Sequence, residues 1–184
     1  MDTQKKIILL GKDGTLITPK SGGTFVQQPW DQEPLPGVKE AIAHYHCQGW
    51  KMAIISNQEA LTMGLKSLET VIAEMRFSLE LFPEIEEAYF CPDFGGMNCY
   101  RVSSSELTRY HPKSDVVWEL SLRGQFRKPN PGMAKLAAHL HAANEVWLIS
   151  ADSKDKEAAS NAGIDFMPAD IWRTRFLPGI YGSF

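Results

Sequence analysis

Short apolar runs alternate with amphipathic segments along this chain. The apolar runs are too short for helices and are rich in β-branched or aromatic residues, as is typical of buried strands. The predicted strands cover residues 7–10, 51–55, 88–90, 145–149 and 166–169. Between them, apolar side chains recur at helical spacing. The predicted helices cover residues 38–47, 61–80, 134–141 and 156–163. This alternation predicts an α/β fold with a doubly wound parallel sheet and right-handed crossovers.

Two segments interrupt the alternation. Residues 17–36 contain four prolines and two glycines, which predicts an irregular loop. The loop leaves the end of the first strand, so we expect it to lie over the site described below, and it is too short for a large cap domain. Residues 91–127 form a second irregular insertion, in which residues 103–106 are predicted to cap a short helix. With no repeats or low-complexity linkers, residues 1–184 are predicted to form one domain.

Composition narrows the class of protein. A chain of 184 residues with 43% hydrophobic residues is long enough to bury a substantial core. A net charge of −3 does not favour a nucleic-acid partner, although a local basic patch leaves that possibility open. No apolar run approaches the ~20 residues that span a bilayer. The odd number of cysteines, three, argues against a disulfide framework, and we expect a cytoplasmic location.

Polar residues of the kinds used in catalysis and ligand binding follow the predicted strands. They are Asp13, Ser56, Lys128 and either Asp152 or Asp155. The carboxyl ends of strands in a doubly wound sheet converge at one edge, where such folds bind ligands. A lysine, a hydroxyl and carboxylates at one edge are the groups that phosphoryl transfer uses. The pattern predicts a phosphate site.

The same segments resemble the motifs of the haloacid dehalogenase-like (HAD) phosphohydrolases. Residues 7–16 are similar to the first motif, a strand followed by Asp-x-Asp-Gly-Thr-Leu. Residues 56–58 (SNQ) and 127–133 (RKPNPGM) are similar to the second and third motifs of one branch. That branch contains the histidinol-phosphate, heptose-bisphosphate and polynucleotide 3′-phosphatases. Residues 150–164 resemble the fourth motif, Gly-Asp-x-x-x-Asp-x-x-Ala-Ala-x-x-Ala-Gly-Ile.

The resemblance implies a Rossmannoid fold and a Mg²⁺-dependent phosphomonoesterase. Its substrate would be a small phosphorylated metabolite or a nucleic-acid 3′-phosphate. Carried over, Asp13 is the acid and base and Lys128 grips the transferring phosphoryl group. Ser56, Asn57 and Lys128 would bind the phosphate. The metal ligands would be Asp13, Asp152 and Asp155.

Two departures from the motifs bear on activity. Gly11 stands where the family has the aspartate that attacks phosphorus. In the fourth motif, Asp155 matches the second aspartate, and an ungapped alignment then places Ala151 on the metal-binding aspartate and Ser150 on the glycine. If the turn is one residue shorter, Asp152 takes the metal position. The sequence leaves both alignments open.

Two hypotheses about function follow. The first is a Mg²⁺-dependent phosphatase, in which Gly11 is an inactivating change or bound water and a metal support weak turnover. The second is a non-catalytic HAD-like module that binds a phosphorylated ligand or a protein partner. A Gly11→Asp substitution is expected to raise the phosphatase rate, provided that the backbone at residue 11 has ordinary β geometry.

Zinc is not expected in the insertion. Several phosphatases of the resembling branch hold a structural zinc there with cysteines and a histidine. This chain offers Cys91 and Cys99, with Asp93 and His111 as further candidates. Closed structural zinc sites use four cysteine or histidine ligands, which this set does not supply.

Overall fold

A computed structural model describes residues 5–113 and 117–177. Its main feature is a seven-stranded sheet with the strand order β7-β6-β5-β4-β1-β8-β9. The strands of this sheet are β1 (Lys6–Leu10), β4 (Lys51–Asn57), β5 (Glu87–Cys91), β6 (Cys99–Val102), β7 (Leu107–Tyr110), β8 (Glu145–Ser150) and β9 (Asp165–Pro168). A separate two-stranded sheet pairs β2 (Ile17–Thr18) with β3 (Glu33–Pro34).

Helices cover both faces of the sheet. They are α1 (Val38–Cys47), α2 (Glu59–Thr62), α3 (Leu68–Leu81), α4 (Val117–Leu120), α5 (Gly132–Leu140), α6 (Ser153–Ala162) and α7 (Ala169–Thr174). None of these described helices is long and apolar enough to cross a membrane.

The central strand β1 explains why the core has two halves. Ile8 and Leu10 belong to one buried cluster, and Ile7 and Leu9 belong to another. Successive side chains of a strand point to opposite faces, so the sheet separates the two clusters. Helices α1, α3 and α7 pack into the first cluster, and α5 and α6 into the second. Because β5, β4, β1, β8 and β9 run parallel, the predicted α/β architecture is confirmed.

The predicted insertion at residues 91–127 contains a β-hairpin. Strand β6 pairs with β5 on one side and with β7 on the other, both in antiparallel orientation, so the sheet is mixed. The prediction that residues 103–106 cap a short helix is wrong, because strand β7 follows them. Ser103 Oγ instead accepts hydrogen bonds from the backbone N–H groups of Ser105 and Glu106 in the hairpin turn. Residues 114–116 of the predicted insertion lie outside the described residues.

The single helix predicted over residues 61–80 is also wrong. Helix α2 ends at Thr62 and α3 begins at Leu68. Gly64 between them has a φ of +73°, a left-handed conformation that interrupts a right-handed helix. Ser67 then caps α3 by accepting a hydrogen bond from the Thr70 N–H at 3.2 Å. The apolar spacing of the segment is therefore shared between two helices.

The loop at residues 17–36 is held by a buried carboxylate. Asp31 accepts hydrogen bonds from the Ser21 N–H at 2.7 Å and the Gln27 N–H at 3.0 Å, and these contacts lower its pKa. Gln32 attaches the loop to α3 because its side-chain oxygen accepts from the Ser78 hydroxyl at 2.6 Å. The position of this loop over the phosphate site stays a prediction.

Glu87 forms a buried polar cluster at the start of β5. Its Oε1 contacts the Tyr89 hydroxyl at 2.5 Å and His141 Nε2 at 2.6 Å, and its Oε2 pairs with Arg101 at 2.5 Å. Burial raises the pKa of Glu87, but the hydrogen bonds from His141, Tyr89 and Arg101 outweigh burial. The pKa therefore lies below the ordinary value of 4.5.

We expect Glu87→Gln to lower the free energy of unfolding at pH 7 by about 2–4 kcal/mol, because Arg101 and His141 lose a buried charged partner. Since folding lowers the pKa, the stabilisation is present above pH 4.5 and is lost as the pH falls through the folded value. Urea unfolding at neutral and acid pH measures this. Glu86→Gln, which removes an exposed pair with Lys51, is the control, with an expected change within about 0.5 kcal/mol. Equal losses for both variants would contradict the prediction.

Candidate functional site

Gly11 follows β1 at the carboxyl edge of the sheet. Its N–H donates to the Ile149 carbonyl at 2.9 Å, which extends the ladder between β1 and β8 by one residue. A Cβ at residue 11 would lie 2.5 Å from Ser150 Oγ, 2.9 Å from Thr15 Oγ1 and 3.1 Å from Asp155 Oδ2. The backbone is not the obstacle, because Gly11 is not among the glycines with positive φ. The Ser150 side chain occupies the space that an aspartate side chain would enter.

Hydrogen bonds fix the Ser150 hydroxyl in that space. Ser150 Oγ accepts from the Asp152 N–H at 3.1 Å and lies 3.4 Å from Thr15 Oγ1. Thr15 Oγ1 in turn accepts from the Ala151 N–H at 3.0 Å. Both hydroxyl-bearing residues are buried. A side chain at residue 11 would require the Ser150 hydroxyl to move and to give up its hydrogen bond from the Asp152 N–H. The expected gain in rate from Gly11→Asp alone stays a prediction.

Lys128 and Asp155 form a buried ion pair beside Gly11. Lys128 Nζ lies 2.5 Å from Asp155 Oδ1, and the two side chains are 7% and 1% exposed. The ammonium group also donates to the Ile55 carbonyl at 3.3 Å. Among the described residues, Asp155 Oδ1 has no hydrogen-bond partner beyond this ion pair. These contacts bring the end of β4, the loop before α5 and the first turn of α6 together next to Gly11.

Asn57 positions Lys128 through its backbone. The Asn57 amide nitrogen donates to the Lys128 carbonyl at 2.9 Å, and the amide oxygen accepts from the Lys128 N–H at 3.0 Å. Direct contact of Asn57 with phosphate stays a prediction. Ser56 is buried next to it, and its hydroxyl accepts from Gln58 Nε2 at 2.9 Å.

Lys12 is a site residue that sequence reasoning set aside. Its Nζ donates to Asp13 Oδ1 at 2.8 Å, with side-chain exposures of 1% for the lysine and 59% for the aspartate. The predicted acid and base, Asp13, is therefore paired with a buried ammonium group. Alternation along a strand placed the Lys12 side chain away from the site. The chain bends after Gly11, where the Leu16 N–H donates back to the Lys12 carbonyl at 2.9 Å.

Asp152 caps helix α6. Its side chain accepts a hydrogen bond from the Lys154 N–H at 2.8 Å, the contact of an N-cap residue. The ungapped alignment, with Ser150 and Ala151 at the motif positions, agrees with this geometry because Ser150 is the residue that meets Gly11. Asp152 is thus engaged in a structural role different from the metal ligand that the shorter turn predicted.

The predicted magnesium ligands have other partners in the described structure. Asp13 pairs with Lys12, Asp155 pairs with Lys128, and Asp152 caps a helix. Within residues 5–113 and 117–177, no group of three or more His, Cys, Asp or Glu side chains is arranged to hold a metal ion. Magnesium uses one or two carboxylates together with waters and substrate phosphates, and carboxylates that are already paired with ammonium or N–H donors fit it poorly. Magnesium binding by Asp13, Asp152 and Asp155 stays a prediction.

The zinc candidates have other partners. Asp93 accepts hydrogen bonds from the Met97 and Asn98 N–H groups at 2.9 and 3.0 Å, and the His111 ring contacts Asn98 Oδ1 at 3.1 Å. Burial raises the pKa of the Cys91 thiol to about 11 and that of Cys99 well above its ordinary value. Zinc binds thiolates, but a bound metal itself deprotonates the thiols that coordinate it. The small number of Cys and His ligands, rather than the thiol pKa values, is therefore the reason to expect no zinc.

Protein purified without chelator is therefore expected to contain far less than stoichiometric zinc. Elemental analysis by plasma mass spectrometry measures this. Stoichiometric zinc that disappears in Cys91→Ser or Cys99→Ser would contradict the prediction.

Comparison with known proteins places these features in a family. The profile of the family described as polynucleotide kinase 3 phosphatase matches residues 6–170. The D-glycero-β-D-manno-heptose-1,7-bisphosphate 7-phosphatase of Pseudomonas putida is 26% identical over 164 residues, which are 86% of this chain and 78% of that protein. The corresponding phosphatase of Thermosynechococcus vestitus is 26% identical over 163 residues, or 85% and 74% of the two chains.

Solved structures agree on the fold. A heptose-bisphosphate phosphatase from B. bronchiseptica, crystallised with magnesium and phosphate, superposes with a TM-score of 0.60 at 23% identity. The match covers 89% of this chain and 78% of that one. Together, the family match over most of the chain and the arrangement of the four motif segments at one sheet edge identify this chain as a member of the polynucleotide kinase 3 phosphatase family within the HAD superfamily of phosphatases.

Proposed function

We propose that this chain binds a small phosphorylated sugar at the edge formed by Gly11, Ser56 and Lys128, and that it lacks the phosphoaspartyl chemistry of its family. The contact between Gly11 and Ser150 carries the proposal. Ser150 Oγ lies 2.5 Å from the position of a residue 11 Cβ, so the site is built around the absence of a carboxylate there.

The phosphate-binding part of the site is retained. An ammonium group has three donors, and Lys128 uses two of them on Asp155 and the Ile55 carbonyl. We assign the third to a phosphate oxygen. Asn57 holds the Lys128 backbone from both sides, which pre-organises the lysine and reduces the entropy lost on binding.

The chemical part of the site is not retained. Gly11 carries no side chain to attack phosphorus. The Ser150 hydroxyl next to it accepts from the Asp152 N–H, and none of its described contacts is with a histidine or carboxylate that could take its proton. Asp13 could still protonate a leaving group, but protonation without an attacking group does not break the ester. The single-step attack of bound water is the remaining route, and we expect it to be slow.

A sugar is favoured as the organic part of the ligand. The two relatives compared above are named for a heptose bisphosphate. A cavity of about 360 Å³ lined by Phe94, Tyr100 and Arg109, among others, offers aromatic faces and hydrogen-bond donors to a polyol. The Arg127 guanidinium lies 4.9 Å from the Phe94 ring centroid. Because Arg127 directly precedes Lys128 in the sequence, we infer that the cavity and the phosphate site are neighbours.

A nucleic-acid 3′-phosphate is the second candidate, because the matching family is described by that activity. The net charge of −3 gives no general attraction for a polyanion. The cytoplasmic location expected from the cysteines stays a prediction.

A panel of sugar phosphates, a 3′-phosphorylated oligonucleotide and an aryl phosphate tests the proposal. Sugar phosphates are expected to raise the melting temperature, as ligands of the folded state do, and to release no inorganic phosphate above the blank. Release that scales with protein concentration and disappears in Lys128→Met would contradict the proposal. A thermal shift produced only by the oligonucleotide would favour the second candidate.

A further inference from the structure

We propose that this site binds phosphate without a divalent cation, because its own lysines balance the carboxylates that remain. The inference rests on the proposed function and adds the ionic requirement of binding. It follows from the charges of the side chains at the sheet edge and from their contacts.

The site carries fewer negative charges than the motifs that it resembles. The motifs that this chain resembles have aspartates at the positions of Gly11 and Ala151. Both are neutral here, so the site has lost two negative charges, which equals the charge of one magnesium ion. Lys12 and Lys128 remain to balance Asp13 and Asp155. Apart from Asp152, which is exposed and caps α6, the site is therefore close to neutral without a metal.

The carboxylates of Asp13 and Asp155 are engaged in ion pairs. Each remaining carboxylate already contacts an ammonium group, at 2.8 Å for Lys12 with Asp13 and 2.5 Å for Lys128 with Asp155. A divalent cation at Asp155 would have to compete with the Lys128 ammonium group for a carboxylate that is 1% exposed. At Asp13, whose carboxylate is 59% exposed, it would have to compete with the Lys12 ammonium group, whose side chain is 1% exposed. Moving a buried ion from its partner carries a large desolvation cost.

Two hydroxyl groups fill the space next to Gly11. Ser150 Oγ and Thr15 Oγ1 lie 2.5 and 2.9 Å from the position of a residue 11 Cβ. They also hold the Asp152 and Ala151 N–H groups. The volume between β1 and β8 is thus filled by hydroxyl groups that are committed to backbone donors. A carboxylate oxygen that borders this volume, Asp155 Oδ2 at 3.1 Å from the same position, belongs to the carboxylate already paired with Lys128. The filled volume therefore leaves a cation little room and a carboxylate that it must share with an ammonium group.

Equilibrium dialysis of inorganic phosphate tests this inference on the unmodified chain, with magnesium or with a chelator at matched ionic strength. We expect the two dissociation constants to agree within about twofold, because charge screening is nearly the same in both conditions at matched ionic strength. In parallel, electron paramagnetic resonance of Mn²⁺ reports metal binding independently of activity. No saturable Mn²⁺ site is expected.

The matched positive control is the triple variant Gly11→Asp/Ser150→Gly/Ala151→Asp. It adds two carboxylates and removes the Ser150 hydroxyl from the space that they would occupy. This variant is expected to gain a saturable Mn²⁺ site. Lys128→Met is the negative control and should weaken phosphate binding about tenfold or more. Phosphate binding by the unmodified chain that requires magnesium would overturn the inference and leave the proposed function standing. No phosphate binding in either condition would overturn both.

Discussion

A variant that carries Gly11→Asp, Ser150→Gly and Ala151→Asp together is expected to hydrolyse an aryl phosphate roughly 10³-fold faster than the unmodified chain, or more, when magnesium is present. Removal of a nucleophile costs about 10⁶ in one dissected hydrolase, and this variant adds both the nucleophile and the carboxylates that ligate a metal. Lys128 and Asp13 already stand at the same edge of the sheet. Steady-state phosphate release with and without magnesium measures the gain.

The single substitution Gly11→Asp is the informative control. Its Cβ would lie 2.5 Å from Ser150 Oγ, so we expect a destabilised protein with little gain in rate. Ser150→Gly alone should fold and remain inactive. Equal rates for Gly11→Asp and the triple variant would show that Ser150 does not block the site. An unmodified chain that is as fast as the triple variant would show that the nucleophile lies elsewhere.

Lys128→Met is expected to lower the free energy of unfolding by about 3–5 kcal/mol, because Asp155 is left as an unpaired buried charge. Urea unfolding measures the change. The exposed pair of Lys154 with Glu59 at 3.1 Å is the matched control, and Lys154→Met should change stability by less than about 1 kcal/mol.

The double variant Lys128→Met/Asp155→Leu separates stability from binding. Replacing both members of a buried ion pair by apolar side chains is often neutral for stability, so most of the loss should be recovered. Phosphate binding should remain absent, because no ammonium group is left at this position. Recovery of binding together with stability would show that Lys128 acts only on folding.

Much of the fold could be predicted from local patterns. The runs at residues 7–10 and 145–149 are short and mostly apolar, and both form strands; β1 is buried from Ile7 to Leu10, and β8 is half-buried at first and buried from Leu148. Two of the segments predicted to meet at the strand ends do so, since Lys128 Nζ donates to the Ile55 carbonyl near the end of β4. That they bind phosphate stays a prediction. Parallel strands make this possible, because all their carboxyl ends lie at one edge.

The elements that were predicted wrongly have physical causes that the spacing of apolar residues does not reveal. Gly64 interrupts the segment at residues 61–80 through its left-handed backbone, while the apolar spacing continues on both sides. The hairpin of β6 and β7 has few consecutive apolar residues; β6 is stabilised by pairing with β5, and β7 by pairing with β6.

The contact between Gly11 and Ser150 depends on register. Leu10 pairs with Ile149, which places the next residues, Gly11 and Ser150, side by side. In the sequence they appear as two separate departures from two motifs. The structure shows that they are complementary, because the side chain missing at residue 11 is replaced by the one present at residue 150.

A crystal structure of the unmodified chain grown with phosphate and magnesium tests the central claim most directly. We expect a phosphate ion in contact with Lys128 Nζ. We also expect Ser150 Oγ to occupy the space beside Gly11, and no cation to lie between the phosphate and Asp13 or Asp155. A hexacoordinate ion bridging the phosphate to those carboxylates, with Lys12 or Lys128 displaced, would contradict it.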